Sequence, residues 1–386
     1  MNVPADTVRA RLARVRANAR AAGVDALVVT HLPNLQYLTG FTGSSGVALV
    51  LPRACLLIVD FRYVTAATEL ISGLDGLVTL ETFERSYDEA LVDVLRRERA
   101  ARIGIEAAYL PVSRFNAISS GLASRSALPI DVSTTSPALV PTERLVEQTR
   151  VIKDDIEIAA LREGGRRLGA IARRVADFVR EGRTERAVAA DIEAAMRGAG
   201  FSRPAFETIV ASGPNSALPH ARPTTREIRP GDPTVLDFGG VYDGYCVDLT
   251  RTVQLGATST ALARLYGAVA EAQQAAIAAV RPGVAASAID AAARNVLQNH
   301  GLAEAFGHGT GHGLGLEVHE EPRIARLWPR LADPLVEPGM VFTIEPGLYD
   351  DELGGFRHSD TVVVVEDGIE VLTSYPSDLE SLTLPA

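Results

Sequence analysis

Apolar positions near the start of the chain recur at helical spacing, and Gly23 closes the run like a helix C-cap, which predicts a helix over 5–22. A buried strand, DALVVT, comes next. The stretch HLPNLQYLTGFTGSSG is rich in turn formers and reads as loop, after which GVALVLP and ACLLIVD read as two more buried strands. LVTLET and RIGIEA add strands, while residues 86–99 and 112–122 carry helical periodicity. Strands alternating with helices predict an α/β layer, and Pro137 and Pro141 mark its end.

From Arg150 the texture changes. VIKDDIEIAALREGGRRLGAIARRVADFVREG reads as one long helix with acidic residues early and arginines late, as the helix dipole favours. A second helix over 184–199 follows Thr184 as N-cap, then the strand FETIVAS and the loop GPNSALPHARPTTREIRPGD. In TVLDFGGVYDGYCVDLTRTVQ two apolar runs flank Asp243-Gly244, the signature of a β-hairpin. Ala-rich helices over 259–280 and 285–299 precede a Gly/His segment, and the last part, GMVFTIEPGLY and GGFRHSDTVVVVEDGIEVLT, is strand-rich. Pairs of helices alternating with hairpins suggest an internal α/β duplication, although no sequence repeat accompanies it.

At 386 residues and 47% hydrophobic content the chain suits two domains, expected over 1–142 and 150–386. A net charge of -10, a pI near 5.3 and the lack of a basic run argue against nucleic acid or an anionic membrane as partner and for a small molecule or peptide. Cys55 and Cys246 are the only cysteines and lie far apart, so no disulfide framework or CxxC site is expected, and a cytoplasmic location is the simplest inference. Neither an apolar leader nor a membrane-length apolar run is evident.

Chemistry collects in the second half. In the hairpin, a loop of even length puts Asp237 and Asp248 on one face, directly opposite or one diagonal apart, roughly 5–8 Å between backbones. Two ionised carboxylates on a buried face call for a cation, because an unpaired buried charge costs several kcal/mol; alternatively each Asp points to solvent or caps a turn. His220, His308, His312, His319 and His358 all fall here. In GHGTGHGLGLEVHEEP the alternating glycines let backbone approach closely and imidazoles converge. Glu345 sits in VFTIEPGLY, an apolar strand broken by Pro346-Gly347, where a carboxylate is rarely buried without a partner; alternatively it is an edge residue facing water. Two Asp, one His and one Glu form an oxygen-rich set with one imidazole, suited to Mn²⁺, Co²⁺, Fe²⁺ or Zn²⁺.

VASGPNSALPHARPTTREIRPGD, VLDFGGVYDGYCVDLTRTV, HGTGHGLGLEVHE and EPGMVFTIEPGLY resemble, in order, the active-site motifs of the pita-bread metallopeptidases, in the Xaa-Pro aminopeptidase and prolidase branch. LPNLQYLTGFTGSSG with LLIVDFRY resembles the creatinase-type N-terminal domain of that branch. The resemblance implies an α/β N-terminal domain, an α+β pita-bread catalytic domain, and metal-dependent hydrolysis of the bond preceding proline in small peptides. It further implies metal ligands at Asp237, Asp248, His312 and Glu345, with Glu345 also shuttling a proton. His220, His308 and His319 would line the pocket and steady the substrate carbonyl or oxyanion, Arg357 would match a family arginine and help bind substrate, and the assembly would be a homodimer.

One position departs from the pattern. The family's fifth ligand is a Glu in a strand reading G-x-R-x-E-D, and Gly355-Phe356-Arg357-His358-Ser359-Asp360 puts Ser359 there. A hydroxyl is a poor replacement for a bridging carboxylate, so one tight ion rather than two is expected. His358 or Asp360 could substitute only through a bulge or twist, since adjacent residues of a strand face opposite ways. Two rival readings within the fold are a creatinase-like hydrolase of a small C–N substrate and an inactive binding protein; the retained ligand set argues against both.

Overall fold

Uninterrupted runs of β-branched and leucine residues form strands where both faces are covered. ALVV, VALV and CLLIV become β1 (Ala26–Val29), β2 (Val47–Val50) and β3 (Cys55–Val59), buried throughout. With β4 (Thr79–Thr82), β5 (Arg102–Glu106) and β6 (Ala138–Thr142) they make a sheet in the order β4-β3-β2-β1-β5-β6. Among the helices α1 (Ala5–Ala21), α2 (Leu32–Thr39), α3 (Val64–Ser72), α4 (Tyr87–Glu98), α5 (Val112–Ala123) and α6 (Glu147–Arg150), α4 and α5 send Leu91, Leu95 and Ile118 into one core with Val28, Leu49 and Ile103. The computed structural model describes residues 3–124, 137–329 and 332–386. These divide into two compact units, Met1–Arg150 and Val151–Ala386.

Two segments of the first unit differ from expectation. Residues 32–39, expected as loop, wind into α2. Pro33 stands in its first turn, where a missing N–H costs nothing, and Gly40 closes it at φ +77°. Burial of Leu35, Tyr37 and Leu38 outweighs the turn propensity of Pro33 and Asn34. Of the prolines expected to end this half, Pro137 precedes β6 and Pro141 lies within it, tolerated there because β6 is an edge strand.

The second unit opens with α7 (Asp155–Ala172), whose N-cap Asp154 forms a capping box with Glu157. The expected single helix is broken at Arg173-Arg174 before α8 (Val175–Phe178); Val175 and Phe178 continue the apolar period, so the pattern merges the two. There follow α9 (Glu185–Gly198), β7 (Arg203–Pro204), β8 (Ile209–Ser212), the hairpin β9 (Pro233–Tyr242) and β10 (Tyr245–Leu255), α10 (Thr260–Ala279) and α11 (Ala286–Asn299). The remainder comprises β11 (Gly311–Gly313), β12 (Glu320–Ile324), β13 (Val341–Ile344), β14 (Gly347–Asp350), β15 (Gly354–Arg357), β16 (Ser359–Val365), β17 (Gly368–Val371), α12 (Leu379–Leu382) and β18 (Thr383–Leu384). The main sheet runs β12-β11-β13-β16-β10-β9-β7, with β8, β17 and β18 attached, while β14 and β15 pair separately. The run carrying Glu345 is interrupted at Glu345-Pro346, as its Pro346-Gly347 predicts, whereas the strand through Ser359, expected to be continuous, is split at His358. Among the described residues no helix is long and apolar enough to cross a membrane.

The main sheet has one face anchored by a buried ion pair. Arg251 Nη2 lies 2.9 Å from both oxygens of Asp360 and also donates to the Tyr375 carbonyl, while Nη1 and Nε donate to the carbonyls of Ser359 and Pro376. Gln273 of α10 and Thr373 complete the shell of Asp360. Removing one partner leaves the other charge buried and unpaired, so Asp360→Ala should destabilise this unit by about 3–5 kcal/mol in urea unfolding. A loss below about 1 kcal/mol would show the pair to be dispensable.

Candidate metal centre

Register builds the site. The hairpin loop is the two residues Asp243 (φ +48°) and Gly244 (φ +91°), which sets Tyr242 opposite Tyr245. Counting back, Asp237 faces Thr250 and Asp248 faces Gly239, so the two carboxylates are diagonal neighbours on one face. Strand β10 then sets Thr250 opposite Ser359, and β16 sets Thr361 opposite Thr343. Continuing that register one residue past β13 brings Glu345 to the same face, beside Ser359. His312 arrives from β11, its N–H donating to Thr343 Oγ1 at 3.1 Å. Glycine is required at 311, where a Cβ would lie 1.8 Å from the Thr343 carbonyl oxygen.

The outcome is a tight cluster of Asp248, His312 and Glu345, whose donor atoms all lie within 4.8 Å of one another. His312 Nε2 is 3.9 Å from Asp248 Oδ2 and 3.7 Å from Glu345 Oε1, spacings within reach of a common ion about 2.0–2.2 Å from each. His312 Nδ1–H donates to the Gly313 carbonyl at 3.0 Å, which fixes the tautomer and leaves the Nε2 lone pair for a ligand. Burial keeps this imidazole neutral by lowering its pKa. Burial also pushes Glu345 up to about 8 and raises Asp248 well above the carboxylate range, with Asp237 and Glu345 adding repulsion at Asp248. Asp248 Oδ1 and Ser359 Oγ are buried without a hydrogen-bond partner. Carboxylates that resist ionisation, orphaned oxygens and a prepared imidazole fit a divalent ion.

Asp237 stands apart from this cluster. Its Oδ2 takes a hydrogen bond from Arg357 Nη2 at 2.5 Å, while Oδ1 has no partner. Arg357 also donates to the Pro219 carbonyl and to Tyr349 Oη. Burial alone would lower the Arg357 pKa, but the charges of Asp237 and Glu345 with Tyr349 raise it overall. Tyr349 in turn donates to His308 Nε2 at 2.9 Å, and His308 Nδ1–H donates to the Gly309 carbonyl. Burial lowers the His308 pKa to about 4, so it is neutral. His220 and His319 are exposed on the same cavity, of about 700 Å³, which Asp237, Asp248, His308, His312, Glu345 and Arg357 also line.

The three residues of the terminal strand take different places. Ser359 lies on the ligand face, whereas Asp360 is committed to Arg251 on the other side. His358 is fully buried with its ring 4.8 Å from that of Tyr266, and neither ring nitrogen has a hydrogen-bond partner. The break at His358 therefore brings neither neighbour to the ligand face. Sequence reasoning passed over Tyr349, Arg323, Phe206 and Trp328, which contribute to the cavity or its hydrogen bonds. Only Tyr349 had a signal, since it ends the VFTIEPGLY run that carries Glu345.

This fold and donor set are those of a metallohydrolase, and comparison with known proteins makes the class specific. Residues 159–366 match metallopeptidase family M24, and residues 11–152 match the Creatinase/Prolidase N-terminal domain. An uncharacterized peptidase of Bacillus subtilis, YqhT, is 36% identical over 92% of this chain and 96% of its own length. The probable dipeptidase PepE of Mycobacterium tuberculosis is 38% identical over 97% of this chain and 96% of its own. A solved Xaa-Pro dipeptidase from Bacillus anthracis superposes with a TM-score of 0.89 at 33% identity, covering 98% of this chain and 100% of the other. The chain belongs to metallopeptidase family M24: it is a peptidase, with a creatinase-type N-terminal domain ahead of a pita-bread domain.

The raised carboxyls make cation binding pH-dependent. Glu345 has a folded pKa of about 8 against an ordinary 4.5, so its contribution to the metal-free fold is present at low pH and lost as pH rises towards 8. A divalent ion bound there would take the place of that proton. The increase in melting temperature on adding Mn²⁺ should therefore grow from pH 6 to pH 8 in differential scanning calorimetry. A pH-independent increment would contradict this protonation state.

Proposed function

We propose that the chain is a divalent-metal-dependent Xaa-Pro dipeptidase, hydrolysing the bond that precedes proline in short peptides. The observation that carries this reading is the Asp248–His312–Glu345 cluster, with Asp248 buried and the other two half-buried, in a cavity lined by three further histidines. The volume suits a small peptide. Relatives and solved neighbours named dipeptidase, Xaa-Pro dipeptidase or prolidase support the choice of substrate.

In this reading Asp248, His312 and Glu345 hold the ion, with Mn²⁺, Co²⁺, Fe²⁺ and Zn²⁺ as candidates. Such an ion supplies a Lewis acid for the scissile carbonyl and lowers the pKa of water to near neutrality. Glu345 takes the proton released by the attacking water and passes it to the leaving amine, a task its burial suits. His220 and His319, exposed to the cavity, hydrogen-bond the substrate carbonyl and the oxyanion that develops from it. The hydrogen-bonded row Asp237–Arg357–Tyr349–His308 holds the wall against which the substrate is oriented. A homodimer is the assembly this reading expects.

One ion rather than two follows from Ser359 and Arg357. A second dication would have only Asp237 and a shared Asp248, with no carboxylate at 359 to offset repulsion from the first. Asp237 already has a cation in Arg357. Calorimetric titration with Mn²⁺ should show one tight site, and two in Ser359→Glu; two equally tight sites in the unaltered protein would contradict this.

The activity itself is tested with alanyl-proline and a longer Xaa-Pro peptide on stripped and metal-reloaded protein. Stripping should abolish hydrolysis and reloading restore it. Asp248→Ala should lower kcat/KM beyond the about 10–100-fold typical of losing an outer partner, and more than His308→Ala does. Near-normal turnover by Asp248→Ala would end the metallopeptidase mechanism, whereas hydrolysis of dipeptides without regard to proline would end only the Xaa-Pro assignment.

A further inference from the structure

Two buried carboxylates stand one layer behind the cavity and take no part in the reading above. Glu185, the first residue of α9, is fully buried. Its Oε1 accepts from the Ser212 N–H at 2.7 Å and the Ser212 hydroxyl at 2.8 Å. Its Oε2 accepts from the Thr224 N–H at 2.9 Å and the Thr224 hydroxyl at 2.7 Å, and Asn215 Nδ2 lies within 3.1 Å of both oxygens. Ser212 ends β8, and Thr224 lies at the far side of the segment that carries Pro219 and His220. One carboxylate thus ties both ends of the His220 loop to the N-terminus of a helix, where negative charge is favoured.

Asp290 on α11 repeats the device. It is 1% exposed, and its Oδ1 accepts from the Thr310 N–H at 3.1 Å and the Thr310 hydroxyl at 2.8 Å. Arg294, one turn on, grips the same carboxylate and donates to the carbonyls of Phe306 and His308. Each carboxylate comes from the second long helix of a helix pair, and each reads the N–H and O–H of a Ser or Thr beside a histidine-bearing segment.

We propose that Glu185 and Asp290 are paired positioning residues, Glu185 setting His220 and Asp290 setting His308 for the substrate. Both act through the loop they hold, and neither touches the cavity. Glu185 holds two ends of one loop, through Ser212 and Thr224, whereas Asp290 holds Thr310 directly and the His308 carbonyl through Arg294. A shift of about 1 Å in such a group is enough to cost on the order of a hundredfold in rate. This inference rests on the roles given to His220 and His308 under the proposed function.

Double-mutant cycles on the metal-loaded full chain, with alanyl-proline as substrate and well below the melting temperature, test it. Glu185→Gln should lower kcat/KM about 10–100-fold, and should cost nothing further in a His220→Ala background. Its loss should multiply with that of His308→Ala, because the two loops are separate. Asp290→Asn should show the mirror pattern, silent with His308→Ala and multiplying with His220→Ala. If Glu185→Gln does not fold, Thr224→Val removes one outer contact of the same clamp and should follow the same pattern with a smaller loss. Losses that multiply within each matched pair, or a lowered melting temperature with unchanged kcat/KM, would reduce both carboxylates to structural anchors and overturn the proposal. An unchanged kcat/KM in His220→Ala or His308→Ala would instead strike the proposed role of that histidine, and with it the positioning role of its carboxylate.

Discussion

Three carboxylates crowd one face of one sheet, two buried and one half-buried, and their mutual repulsion favours a nearby cation. Asp237, Asp248 and Glu345 meet that condition in two different ways. Asp237 is neutralised from within the chain by Arg357. Among the described residues neither Asp248 nor Glu345 has an arginine or lysine ion pair, and burial drives both towards the protonated form against the weaker attraction of Arg357. A divalent cation would favour their ionised forms, and the neutral His312 beside them would offer a third ligand. A metal would thus offset the charge distribution of this face, in keeping with the family to which the chain belongs.

The opposite face shows the contrast. Asp360, one residue from Ser359, is just as buried, yet its charge is met by Arg251 with Gln273 and Thr373. Strand alternation sends adjacent residues to opposite faces, so the carboxylate that the ligand face lacks cannot be borrowed from its neighbour. Arg251 also binds the Ser359 carbonyl at 2.7 Å, holding the strand in the register that puts a hydroxyl beside Glu345. One face is complete in itself, and the other is complete only with a ligand.

The hairpin was legible from Asp243-Gly244 and its flanking apolar runs, because a two-residue turn fixes the register of everything up to Asp237 and Asp248. The glycines around His312 were legible as a place of close backbone approach, and Gly311 bears that out against the Thr343 carbonyl. What stayed hidden depends on contacts distant in sequence. Nothing near Asp237 announces that Arg357 will occupy it, and nothing near Glu185 announces Thr224. The helix α2 was missed because Pro33 and Asn34 carry turn propensity, whereas its stability comes from tertiary burial of Leu35 and Leu38. The strand through Ser359 was read as continuous because its apolar pattern runs on past the break, which only the packing of His358 against Tyr266 reveals.

The central claim is that Asp248, His312 and Glu345 form a centre that works with a single ion. Electron paramagnetic resonance on protein given one and then two equivalents of Mn²⁺, with alanyl-proline hydrolysis measured on the same samples, tests it most directly. The account predicts the hyperfine pattern of an isolated bound ion and full activity at one equivalent, with the second equivalent free in solution. A spin-coupled spectrum that appears with the second equivalent, together with activity that appears only then, would contradict it.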